Sequence, residues 1–329
     1  METQPRVVVI GDIGGHRKPF FGMLRRLGIT TSTNTIPADI TIVQVGDLIG
    51  PSPEASGKIL RTVRDLRRHN PGRWIQLMGN WEAKYHPHGH PFTAVRQGNL
   101  PDLYDSNIEL LNQIWEEPYS GTAAVIESDE MAPALITHAG VTKELLQSIG
   151  QKHQPNPHIV AAAINAAITD PTHRANVFQP GEMCSHPAGT SIPGPLWASH
   201  RELWQSWNTT PLPYDQIVGH AAPYKYNQGT WYDKEPIPQT QWATPSTKLR
   251  MTYWQHPNSN HGIAHIDPSI WQRSGANHLP GHAFTNATIT VPEPARHIIP
   301  TGQTIPEFGL ANGTQLNIRS QQPRESSQP

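Results

Sequence analysis

RVVVIGDIGGHRKPFFGMLRRLG, residues 6–28, sets the architecture of the chain. Arg6 to Ile10 is a short continuous apolar run closed by Gly11-Asp12; after Arg17 the apolar residues recur at helical spacing until Gly28 stops them. A strand therefore runs into a helix. ADITIVQVGD (38–47) repeats the strand, and EASGKILRTVRDLRRHN (54–70) repeats the helix, with Pro53 before its first turn and basic residues in its last, where they favour the helix dipole. RWIQLMGN (73–80) is a third strand of the same kind. Strand, helix, strand, helix, strand at this spacing implies parallel pairing through right-handed crossovers.

The second half is sparser. PALITHAG (133–140) and YDQIVGHA (214–221) are further apolar runs that end in polar, ligand-type residues. Between them lie an alanine-rich helix, HIVAAAINAAITD (158–170), and GPLWASHRELWQSW (194–207), a Pro-Gly loop entering a short helix. HGIAHIDPSIW (261–271) and HAFTNATITVPEPARHIIP (282–300) carry the β-branched character of late antiparallel strands. NIRSQQPRESSQP, at the end, holds too little apolar content to pack. The expected layout is one domain over 1–305, with a helical insertion at about 142–212 and a flexible tail over 306–329.

With 329 residues the chain can bury a large α/β core. Lys and Arg number 25 against 26 Asp and Glu, a net charge of −1, and no long basic run gives the footprint of a nucleic-acid polymer. Cys184 is the single cysteine, which precludes an intrachain disulfide, and the N-terminal apolar run is too short for a signal or membrane segment. A cytoplasmic protein without a membrane partner is expected. The 33 prolines imply much loop, and the 18 histidines matter only where they follow strands.

Five apolar runs end in Asp12, Asp47, Asn80, His138 and His220. In a parallel sheet the strand C-termini share one edge, so these residues, distant in sequence, converge on one crevice. Carboxylate and amide oxygens mixed with imidazole nitrogens suit a divalent Mn, Fe or Zn ion, one or two per chain. Any one Gly-Asp pair after a strand is ordinarily a turn; five such ends in order are a site.

The order Gly-Asp, Gly-Asp, Gly-Asn-x-Glu, His-Ala-Gly, Gly-His resembles the calcineurin-like metallophosphoesterases, particularly their phosphoprotein phosphatase and bacterial diadenosine tetraphosphatase branch. The resemblance implies an αββα sandwich of two mixed sheets flanked by helices, with the metal site at the strand C-terminal ends. It further implies that Asp47 bridges two ions, that Asn80, His138 and His220 complete the second, that Asp12 serves the first, and that Glu82 supports the ligands from behind. Its partners would be a phosphorylated small molecule, a nucleotide or a phosphoprotein.

Four family groups are replaced. GDIGGH has Gly14 where the first ion's histidine belongs, with His16 two residues on as the candidate substitute; GDLIGPS has Gly50 and Pro51 in place of the orienting Asp and the phosphate-gripping Arg. In GNWE, Trp81 stands at the family's acid, and an indole has no titratable proton near neutral pH. The residue that serves as acid is thus unknown. His86 and His88, in the loop KYHPHGH, are candidate substitutes, although that loop also reads as a solvated Pro-Gly turn; Arg17 and Lys84 are candidate phosphate contacts. His200 and His265 read as structural. The resemblance implies a metallophosphoesterase, a hydrolase, of weak or altered activity. The rival reading is a pseudoenzyme, an impaired phosphatase that binds phosphate or a partner.

Overall fold

β1 (Arg6–Ile10), β2 (Ile40–Gln44) and β3 (Trp74–Leu77) lie side by side and parallel, joined by α1 (Arg17–Arg26) and α2 (Pro53–His69). Ser52 caps α2 by accepting the Ala55 N–H at 3.2 Å, and Gly28 ends the α1 segment at a φ of +73°. β4 (Ser120–Gly121) extends the sheet beyond β3, and β13 (Gly281–Thr285) closes the other edge antiparallel to β1. These facts come from a computed structural model, which describes residues 6–89, 103–128, 131–151, 155–184, 190–233, 238–268, 279–285 and 287–292. The expected tail lies outside the described residues.

A second sheet has seven strands in the order β10-β11-β12-β7-β6-β5-β14. In chain order these are β5 (Ala123–Ser128), β6 (Met131–Thr137), β7 (Gln216–Val218), β10 (Ala243–Ser246), β11 (Met251–Gln255), β12 (Gly262–His265) and β14 (Ala287–Thr290). A small hairpin pairs β8 (Tyr224–Lys225) with β9 (Thr230–Trp231). One expectation is corrected here: β12 is antiparallel to β11 but runs parallel to β7, because the chain crosses back through the β10–β11 hairpin before entering the sheet. The strand-end logic of β6 and β7 thus extends to β12.

The two sheets pack face to face. Val7, Val9, Val43, Val45, Ile75 and Leu77 of the first meet Ala124, Ile126, Ile136, Ile217, Ala264 and Ile289 of the second. The outer face of the first sheet buries Val8, Ile10, Ile40 and Ile42 beneath α1, α2 and α4 (Asp105–Glu116). On the outer face of the second, Val125, Leu135 and Val218 lie beneath α5 (Lys143–Ser148), α6 (Pro157–Ala167) and α8 (His200–Trp207). Continuous apolar runs are therefore required in the central strands, since both of their faces are covered. The layers are helix, sheet, sheet, helix.

Asn165 of α6 fastens its helix to the sheet. Its Oδ1 accepts the N–H groups of Thr122 and Ala123, and its Nδ2 donates to the carbonyls of Ala123 and Pro292. Between β6 and β7 the chain carries α5, α6, α7 (Ala175–Phe178) and α8. Among the described residues, no helix is long and apolar enough to cross a membrane.

Candidate metal centre

Each expected ligand follows a strand by one to three residues. β1 ends at Ile10, β2 at Gln44, β3 at Leu77, β6 at Thr137 and β7 at Val218, which brings Asp12, Asp47, Asn80, His138 and His220 to one edge of the sandwich. Oxygens of Asp12 and Asp47 and a ring nitrogen of His138 lie within 4.8 Å of one another, all buried. Asp47 sits at φ +55° and His220 at φ +62°. This left-handed backbone is uncommon outside glycine, and Asp and His are among the side chains that adopt it most readily.

Backbone groups fix the ligands. His220 N–H donates to both oxygens of Asp12 at 3.1 Å, and Trp81 N–H donates to Asp47 Oδ1 at 3.1 Å. The Nδ1–H of His138 donates to the Val45 carbonyl at 3.0 Å, which leaves the Nε2 lone pair facing the site, 3.5 Å from Asp47 Oδ1. Glu82, in the single turn α3 (Asn80–Ala83), accepts from Asp47 N–H at 2.7 Å, Gly79 N–H at 2.8 Å and Ile49 N–H at 3.1 Å. It therefore ties the second and third strand-end turns together. Gly79 must lack a side chain, because a Cβ there would lie 2.2 Å from Asp47 N and Oδ1.

One amide tests whether the donors fit a cation. A terminal atom of Asn80 lies 3.2 Å from each oxygen of Asp47, 3.0 Å from His138 Nε2 and 3.3 Å from His220 Nδ1. Four lone-pair donors converging on one point are stable only around an NH₂ group or a positive ion. The buried charges agree. Burial, then the like charges of Asp267 and Asp47, push the Asp12 carboxyl well above the usual range, and burial with Glu82 does the same to Asp47. His138 is held well below the ordinary imidazole value by burial and by His220, so it is in the neutral, ligating form. A divalent cation among these groups would reverse the carboxylate shifts. The donor set fits such an ion.

The other candidates have the following neighbours. His16 precedes α1, and Arg17 lies 3.7 Å from Glu54 at the start of α2. Lys84 is buried, 5.2 Å from the Tyr85 ring centre. His86 stacks on Phe178 at 5.8 Å, and His88 Nδ1 is 3.2 Å from Arg174, so both side chains pack toward α7. Burial, with His88 and Arg174 nearby, pushes His86 down to about 4, so at neutral pH it is an uncharged imidazole and not an imidazolium acid. Trp81 packs its ring against the apolar cluster on the outer face of the first sheet. His200 Nε2 is 3.1 Å from Asp233, and His265 Nε2 accepts from Trp204 at 3.0 Å, both structural arrangements.

Asp267 was not singled out by the sequence. It is buried, accepts the Ala222 N–H at 3.1 Å, and is the largest charge acting on Asp12. The available signal was HGIAHID, an apolar run closed by a polar, ligand-type residue like the other five. Reading that strand as antiparallel hid it, because the strand-end rule applies to parallel strands.

The loops after β1 and β2 meet. A Cβ on Gly50 would lie 2.0 Å from the Gly14 carbonyl oxygen, so the two glycines that stand where the resembled pattern has His and Asp are in backbone contact.

No family model matches the chain, and no curated protein matches its sequence. Solved structures do. A cold-active protein-tyrosine phosphatase of a psychrophilic Shewanella species is 15% identical over 87% of this chain and 75% of that one, with a TM-score of 0.42. A proposed diadenosine tetraphosphatase is 13% identical over 88% and 90%, at 0.33. A protein serine/threonine phosphatase from Saccharomyces cerevisiae, similar to human PP5, is 12% identical over 85% and 80%, at 0.39. All three bear phosphatase names. At TM-scores below 0.5 these likenesses do not bear on the chemistry, which rests on the ligand geometry.

Proposed function

We propose that the chain is a divalent-metal-dependent phosphoesterase of the calcineurin-like kind, acting on a phosphomonoester or phosphodiester. The reading is carried by one observation: both Asp47 oxygens, His138 Nε2 and His220 Nδ1 surround a single Asn80 atom at 3.0–3.3 Å. Asp47, Asn80, His138 and His220 would hold one ion, and Asp12 with Asp47 would face a second. The mixed oxygen and nitrogen set suits Mn, Fe or Zn. A bound ion supplies Lewis acidity toward a phosphoryl oxygen and activates water as the nucleophile.

The protein's own groups do the rest. Val45 O keeps His138 in the ligating tautomer, Glu82 fixes the turn that carries Asp47, and the His220 N–H orients Asp12. No acid stands at the family's position, where the half-buried Trp81 packs against the apolar cluster of the first sheet. Loss of such a group typically costs about 10²–10⁴-fold, so turnover is expected to favour esters with good leaving groups. The same packing, with the Gly14–Gly50 contact, favours a second reading, a module that binds metal and phosphate without turnover.

Metal content and hydrolysis of an aryl phosphate with Mn²⁺ or Mg²⁺ test this, with Asp47→Ala and Asn80→Ala as comparisons. The expected result is bound metal in the starting protein, less in both variants, and a rate that falls with it. Metal bound with a background rate that neither variant lowers selects the non-catalytic module. Unchanged metal content in His138→Ala and His220→Ala would remove the site altogether.

A further inference from the structure

On the outward face of α1, two arginines converge on a position that has no side chain. The helix RKPFFGMLRR contains four cations and no carboxylate. Pro19, Phe20, Met23 and Leu24 are buried toward the sheet, which confines the cations to the opposite arc. Arg17, Phe21 and Arg25 form one row at i, i+4, i+8; Lys18, Gly22 and Arg26 form the next. These six residues line an open groove of about 970 Å³.

Gly22 is the notch in that groove. A Cβ built on it would lie 3.6 Å from Arg26 Nη1 and 3.8 Å from Arg25 Nη2, with no other group outside the helix backbone within 4 Å. Packing therefore does not require glycine here, and alanine would favour the helix. What glycine leaves is space between two guanidinium groups. Among the described residues neither group faces a carboxylate: Arg26 Nη2 donates to the Leu279 carbonyl at 2.7 Å, and the Arg25 guanidinium makes no hydrogen bond or ion pair. Lys58 Nζ, 5.8 Å from the Phe21 ring, adds a fifth cation, and the acid at this face is Glu54, 3.7 Å from Arg17. Converging guanidinium groups without a counter-charge are suited to the forked geometry of phosphate oxygens. Lys18 stands one turn away, roughly 6 Å along the axis, within the span of a neighbouring phosphoryl group.

We propose that this notch binds an oligophosphate group, with one phosphoryl seated over Gly22 between Arg25 and Arg26 and the next directed toward Lys18 and Arg17. The inference does not depend on the metal centre, although α1 begins five residues after Asp12 and the groove starts beside that loop. The oligophosphate could be the far end of a substrate or a separate effector.

Titration of the full chain with inorganic tripolyphosphate, followed by calorimetry and by the arginine Nε–Hε NMR signals, tests the site, with inorganic phosphate as comparison. Tripolyphosphate is expected to bind at least about tenfold more tightly than phosphate, to shift the Arg25 and Arg26 signals, and to weaken as salt is raised. Gly22→Glu, which places a carboxylate between the guanidinium groups, should abolish binding; Gly22→Ala, which adds a methyl, should retain it, with circular dichroism showing that both variants fold. Absence of heat and of signal shifts, or undiminished affinity in Gly22→Glu, overturns the proposal. In Asp47→Ala, unchanged affinity assigns the ligand as an effector, whereas reduced affinity assigns it as one end of a substrate that also reaches the metal centre.

Discussion

Glu82 acts through its two oxygens on three backbone N–H groups, those of Asp47, Ile49 and Gly79. Burial raises its carboxyl, and those donors oppose the shift, so the anion is held by the turns that it organises. Glu82→Gln replaces one accepting oxygen with an NH₂ that faces donors. The expected loss is on the order of 2–3 kcal/mol in urea unfolding of the metal-free protein, and an unchanged midpoint would show that the turns hold without the charge. Metal affinity should fall by about 10–100-fold in the same variant. Trp81, its neighbour, contributes to the site by its backbone N–H while its ring serves the core. An indole at that position thus has a packing role.

At the scale of elements, the turn after β1 and the turn after β2 meet backbone to backbone at Gly14 and Gly50. Neither position carries a side chain, so the two backbones come into direct contact. Gly50→Ala puts a methyl 2.0 Å from the Gly14 carbonyl oxygen, so one loop must move. Overpacking of this kind costs about 1–3 kcal/mol. Thermal unfolding of the variant should show that loss, and an unaltered transition would mean that the contact is loose. The contact also bears on restoring activity. Gly14 has φ +55°, so Gly14→His introduces a strained residue of about 1–3 kcal/mol, and Gly14→His with Trp81→His is expected to leave aryl phosphate turnover near the starting rate.

For the whole molecule, pH acts through buried histidines, His282 of β13 among them. His282 faces Val9 across the antiparallel β1–β13 pair, and burial pushes it down to about 4. An unfolded imidazole titrates near 6.5. Between these values the unfolded chain holds a proton that the folded chain lacks, so stability is full above about pH 6.5 and declines as pH falls toward 4, by on the order of 3 kcal/mol. His86, also at about 4, acts in the same sense; the raised carboxyls of Asp12 and Asp47 act in the opposite one. The comparison is therefore between the starting protein and His282→Leu. Urea unfolding at about pH 7.5 and about pH 5 should give a smaller acid loss in the variant, and equal losses would place the proton elsewhere.

The sequence by itself determined the parallel β1-β2-β3 unit and the order of ligand types, because apolar runs closed by Gly-Asp or Gly-Asn are local patterns that report strand and turn directly. It placed Asp12, Asp47, Asn80, His138 and His220 at strand ends for the same reason. β5 and β11 went unread, since neither AAVIES nor MTYWQ is closed by the Gly-Asp, Gly-Asn or Gly-His turn that marked the other strands. Tertiary structure decided the rest: that β12 runs parallel to β7 and brings Asp267 beside Asp12, that His86 and His88 pack toward Phe178 and Arg174, and that Gly14 meets Gly50. These outcomes depend on which surfaces meet across 35 to more than 200 residues of chain. No local pattern carries that information, because the energy lies in the packing between segments and not within any one of them.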